Sequence, residues 1–130
     1  MATVLVVDDE PDIRDLVVKR LVQEGHAVLA AGGGAEALAL VEAGGPPDAV
    51  VLDLDMPGMD GLELLERLRL RHPDLPALIL SVLWGGDVYD RARQVPAVFV
   101  AKPFTGAALT AGVRQMLGLP GCGAGIEVGG

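Results

Sequence analysis

A chain of 130 residues, half of them apolar and only 3% aromatic, has the size of one domain built on an aliphatic core. Ten basic against 18 acidic residues leave a net charge of −8, which repels a polyphosphate backbone and argues against nucleic-acid binding. No apolar run approaches the roughly 18–20 residues of a bilayer span, and the N-terminus carries no targeting pattern. The single cysteine, Cys122, builds neither a disulfide framework nor a thiolate metal site, so a soluble, cytoplasmic protein with no membrane partner is expected.

The first apolar run, Val4-Leu5-Val6-Val7, reads as a strand and ends on Asp8-Asp9-Glu10. Pro11 suits the first turn of a helix carrying Ile13, Leu16, Val17 and Leu21, and Gly25 suits its end. A second strand over Ala27–Ala30 leads through Gly32-Gly33-Gly34, read as a turn, to a helix marked by Leu38 and Val41. Gly44-Gly45-Pro46-Pro47 precedes a third strand, Ala49–Leu52, which runs into Asp53-Leu54-Asp55-Met56-Pro57-Gly58 and a helix with Leu65 and Leu68. A fourth strand, Ala77–Leu80, ends on Ser81 and Val82. Trp84-Gly85-Gly86 and Val95-Pro96 then leave room only for a short helix between about Asp87 and Gln94. The fifth strand, Ala97–Ala101, ends on Lys102-Pro103-Phe104, and Leu109, Val113, Met116 and Leu117 mark the last helix. Residues 1–118 form the expected domain, and residues 119–130 are expected to be a flexible, Gly-rich tail or linker.

None of the five runs alternates apolar with polar, so both faces of each strand are expected to be covered, as in parallel sheets. Five strand–helix units with right-handed crossovers predict an α/β, flavodoxin-like, doubly wound five-stranded parallel sheet with five helices, in the order 2-1-3-4-5. In that order the first and third strands meet at the topological switch point, where ligands bind beyond the carboxyl ends of the strands.

The polar residues fall at those ends. A lone aspartate after a strand is most simply a helix N-cap, favoured by the helix dipole. Asp8, Asp9 and Glu10 together with Asp53 and Asp55 exceed what capping requires. Carboxylates so crowded call for a cation, and hard oxygen ligands without histidine or cysteine favour Mg²⁺ over zinc. Ser81 and Lys102, each the first polar side chain after its strand, are expected to face the same crevice. The set suits phosphoryl transfer, with Asp53 as nucleophile, Mg²⁺ and Lys102 neutralising charge, and Ser81 donating to a phosphoryl oxygen.

These motifs, in this order from about Thr3 to Leu117, resemble the receiver domain of bacterial two-component response regulators. The resemblance implies that a sensor histidine kinase or histidine phosphotransfer protein phosphorylates Asp53. It implies Mg²⁺ bound by the carboxylates of Asp9 and Asp53, by Asp8 through water and by the backbone carbonyl of Asp55. It also implies a cis Lys102-Pro103 peptide and a switch in which Phe99 turns inward as Ser81 moves toward the phosphoryl group. The face of the fourth helix, fifth strand and fifth helix would carry output to a partner or output domain. Such a chain catalyses only its own phosphorylation and dephosphorylation.

Two departures bear on kinetics. Val82 stands where the family has a small residue and is expected to narrow access to Asp53, while Asp55 adds an acidic side chain near the site. Trp84 and Tyr89 serve either output or packing; His26 and His72 read as surface residues. Two other functions compete. Asp53-Leu54-Asp55 resembles the nucleophile motif of haloacid-dehalogenase-type phosphatases, but here the acidic pair comes first. The other is a receiver-like interaction module whose state is set by binding alone.

Overall fold

The computed structural model describes residues 2–82 and 87–118. Five strands alternate with five helices: β1 Thr3–Val7, α1 Pro11–Gln23, β2 Ala27–Ala31, α2 Gly34–Gly44, β3 Ala49–Asp53, α3 Gly61–Arg71, β4 Ala77–Ser81, α4 Asp87–Ala92, β5 Val98–Ala101 and α5 Gly106–Met116. The strands pair in parallel in the order β2-β1-β3-β4-β5, as the sequence predicts.

Side chains along a strand point alternately to its two faces. Here both faces are covered. Leu5, Val7, Val50, Leu52 and Ile79 pack with Ala37, Leu62, Leu65, Leu68 and Ala92 of α2, α3 and α4. Their neighbours Val4, Val6, Val51, Leu78 and Leu80 pack with Val17, Leu21, Leu109, Val113 and Met116 of α1 and α5. This two-sided burial explains the unbroken apolar runs.

The helix ends follow local chemistry. Pro11 opens α1, and Gly25 after it takes φ +92°, a conformation that a Cβ disfavours. Asp60 caps α3 by accepting from the Glu63 amide at 2.9 Å, and Thr105 caps α5 by accepting from Ala108 at 3.0 Å.

Three expectations are corrected. Leu16 is exposed, because α1 turns the stripe of Ile13, Val17 and Leu21 toward the sheet. α4, Asp87–Ala92, falls within the short helix expected between about Asp87 and Gln94, and Val95 and Pro96 follow in the connection to β5. In Gly32-Gly33-Gly34, Gly33 is extended with φ −174°, and the constraint lies at Gly34, where a Cβ would meet Met59 Sδ at 2.6 Å. His26 is half-buried, with its Nδ1 accepting from the Ala2 amide at 3.2 Å. The expectations for Trp84 and for the tail with Cys122 lie outside the described residues.

Candidate functional site at the carboxyl ends of the strands

Parallel strands deliver their carboxyl ends to one edge of the sheet. Asp8 follows β1, Asp53 ends β3, Ser81 ends β4 and Lys102 follows β5. Asp8, Asp53 and Ser81 are the buried polar residues among those described, at 0%, 3% and 4% exposure. Buried polar groups are costly unless paired.

The pairing centres on Lys102. Its Nζ lies 3.1 Å from Asp8 Oδ2, 3.2 Å from Glu10 Oε1 and 3.3 Å from Asp53 Oδ2. The lysine side chain is itself buried, and the Lys102 amide donates to the Ser81 carbonyl at 3.0 Å, tying the end of β5 to that of β4. The Lys102-Pro103 peptide is cis.

Each carboxylate is also held by backbone. The Glu10 amide donates to Asp8 Oδ1 at 2.9 Å, and the Asp55 amide donates to Asp53 Oδ1 at 3.2 Å. Glu10 occupies the N-cap position of α1 but makes no side-chain capping bond; its carboxylate faces Lys102 instead. Capping therefore does not account for the acidic run. The site is walled closely beneath Asp53: a Cβ on Gly61 would run into the Asp53 carbonyl, so the start of α3 approaches the end of β3 as only glycine permits.

Burial pushes the Asp53 carboxyl up to about 6; Lys102 and the Asp55 amide pull it down, and the neighbouring Asp8 charge adds to the rise. Burial works against the Lys102 ammonium, but Asp53, Asp8 and Glu10 outweigh it and hold its pKa above the ordinary lysine value. Asp53 is thus a desolvated carboxylate with a fixed positive charge, Lys102, beside it.

One oxygen from each of Asp8, Glu10 and Asp53 falls within 4.8 Å of the others, an all-carboxylate donor set fitted to a hard cation such as Mg²⁺. Asp9 and Asp55, both expected near the metal, have exposed side chains, and Val82, directly after β4, is 48% exposed. Glu10 was visible as the third acid of the run but marked for no role; its pairing with Lys102 depends on a contact spanning 92 residues. Arg14 gave no sequence cue at all, yet its Nη1 donates to the Asp8 carbonyl at 3.0 Å and steadies the loop after β1. Phe99, on β5, is half-buried and stacks edge-on to Tyr89, with centroids 6.3 Å apart. His26, before β2, and His72, after α3, lie at the opposite ends of the strands from this site.

The family model for the response regulator receiver domain matches residues 4–114. Among curated proteins, the chain is 41% identical over 121 residues to the sensor kinase CckA of Brucella abortus, covering 89% of this chain and 12% of that protein. It is 39% identical over 118 residues to the probable transcriptional regulatory protein TcrX of Mycobacterium tuberculosis, covering 88% and 49% respectively. The chain thus spans about half or less of the length of these relatives. Among solved structures, the chemotaxis protein CheY4 of Vibrio cholerae superposes with a TM-score of 0.81 at 31% identity, over 90% of this chain and 99% of that one. No helix among the described residues is long and apolar enough to cross a membrane. The matched sequence, the strand order and the carboxylate–lysine cluster agree, and the chain belongs to the response regulator receiver domains, the phosphoacceptor signalling domains of two-component systems.

Proposed function

We propose that Asp53 is the phosphoryl acceptor, and that a sensor histidine kinase or a histidine phosphotransfer protein supplies the group in a Mg²⁺-dependent transfer. The observation that carries this reading is the buried Asp53 carboxylate, with Lys102 Nζ 3.3 Å away and Asp8 sharing the same ammonium. Attack by an Asp53 oxygen on the donor's phosphorus breaks the donor's phosphorus–nitrogen or phosphorus–oxygen bond and leaves an aspartyl phosphate.

Asp8 and Asp53 are the buried ligands proposed for Mg²⁺, with Asp9 and the Asp55 carbonyl completing the set from the rim and Glu10 within reach. When bound, the ion supplies charge neutralisation for the phosphoryl oxygens and the attacking carboxylate. Lys102 supplies a second positive charge, and Ser81, buried at the end of β4, a hydrogen bond to a phosphoryl oxygen. Movement of Ser81 toward that oxygen and of the Phe99 ring behind it would report the modification on the face of α4, β5 and α5, where a partner or an output domain docks. In this reading the chain catalyses only its own phosphorylation and dephosphorylation.

Intact mass after incubation with acetyl phosphate and Mg²⁺ tests the assignment. One added phosphoryl group, absent from Asp53→Asn and from samples treated with chelator, is expected. A folded protein that gains no mass would instead favour an interaction module set by binding alone.

A further inference from the structure

The chain contains four aromatic residues in all, and two of them meet beneath one guanidinium. The Arg93 Cζ lies 5.3 Å from the centroid of the Phe99 ring and 6.0 Å from that of Tyr89, while the two rings meet edge to face at 71°. Cation–π attraction extends to about 6 Å from the centroid, so the Phe99 contact is well within range and the Tyr89 contact lies at its limit. Arg93 is exposed, but its backbone is not free to wander: its amide donates to the Tyr89 carbonyl at 3.0 Å, and the adjacent Ala92 is buried. Val95, two residues on, packs against the same core as Phe99 and Tyr89.

We propose that Arg93 is a positioning residue that latches the Phe99 ring in its resting pose through the Arg93–Phe99–Tyr89 stack, and so sets how readily phosphorylation at Asp53 is transmitted to the α4–β5 edge. The inference rests on the reading of Asp53 as acceptor and Phe99 as switch. The pose is the resting one because Lys102 is still paired with Asp8, Glu10 and Asp53. Turning the ring toward Ser81, at the end of β4, would take it out of its contact with a guanidinium held within the α4–β5 connection. The stack therefore opposes the turn, and every conformation that needs the turn becomes less populated.

The test uses beryllofluoride, which adds to a carboxylate as a phosphoryl mimic, titrated with Mg²⁺ present and followed by fluorine NMR. Arg93→Ala is expected to lower the half-saturating concentration by about two- to fivefold, the ratio corresponding to an exposed cation–π contact. In a Phe99→Leu background, where the guanidinium keeps only the Tyr89 ring and no switch ring is left to hold, the same substitution is expected to have no effect on the half-saturating concentration. An equal effect of Arg93→Ala in both backgrounds, or none in either, would overturn the latch. Arg93→Lys, which keeps the cation, is expected to lie between Arg93 and alanine. If the unsubstituted, folded protein takes up no beryllofluoride, the assignment of Asp53 fails first, and Arg93 has no switch on which to act.

Discussion

The ammonium of Lys102 lies 3.3 Å from Asp53 and 3.1 Å from Asp8, so one buried cation satisfies two buried carboxylates contributed by different strands. The same carboxylates are the proposed ligands of Mg²⁺. Lysine and metal therefore compete for the same oxygens, and the competition can be measured.

Removing the lysine leaves Asp8 and Asp53 buried without their shared partner. Lys102→Ala is expected to lose about 3–5 kcal/mol of stability in metal-free buffer. Mg²⁺ should return much of that loss, since an ion that binds only the folded state stabilises it by mass action. Thermal unfolding with and without Mg²⁺ checks both parts: a larger Mg²⁺-induced rise in Tm for Lys102→Ala than for the parent is the expected outcome. Labelling by acetyl phosphate should slow despite tighter metal binding, because the fixed positive charge is gone.

The raised pKa of Asp53 has a definite sign in stability. A carboxyl that titrates near 6 in the folded state and near 3.8 unfolded binds more protons when folded, so its contribution falls as pH rises from about 4 to about 6 and stays unfavourable above. Asp53→Asn removes the buried charge at nearly constant shape. Without metal, it should stabilise the protein by roughly 1–3 kcal/mol at pH 7.5, the upper figure reduced by the lost pairing with Lys102, and the gain should vanish below about pH 4. Urea unfolding at several pH values in the presence of chelator measures it. A gain that does not change with pH would assign the effect to something other than the Asp53 charge.

Val82 follows the buried Ser81 and is about half exposed. Val82→Ala should speed phosphorylation by acetyl phosphate, dephosphorylation, or both, by a few-fold while leaving Tm nearly unchanged, since little buried surface is lost. Unaltered time courses would remove Val82 as a gate.

Gly61 stands against the Asp53 carbonyl and the Leu54 backbone, neither of which can move without shifting the acceptor. Gly61→Ala should cost about 1–3 kcal/mol by overpacking. It should also slow labelling of the fraction that remains folded; a destabilised variant that labels at the parental rate would mean that α3 can draw back without disturbing Asp53.

Much of this arrangement was legible in the sequence because parallel sheets write it there. Unbroken apolar runs such as Ala49–Leu52 marked strands covered on both sides, and the first polar residue after four of the five runs marked the edge that carries the candidate site. What escaped was set by contacts between elements. Period alone made Leu16 as good a core residue as Val17, and only the way α1 lies over the sheet leaves it exposed. Gly34 read as a turn glycine until Met59, 25 positions later, proved to occupy the place of its Cβ. Glu10 had the right chemistry but no visible partner, and Arg14 neither.

The strand order carries one more demand. β4 stands between β3 and β5, so Lys102 must cross the end of β4 to reach Asp53. Two interstrand spacings amount to about 9.6 Å, more than an outstretched lysine covers alone, so the Asp53 side chain and the 3.3 Å gap between the charged groups complete the span. The crossing passes the end of β4, where Ser81 sits. A bulky side chain there is expected to hinder the bridge, and a shortened cation to fall short of it. A small residue at position 81 is thus expected to favour charge neutralisation at Asp53, separately from any hydrogen bond its hydroxyl makes.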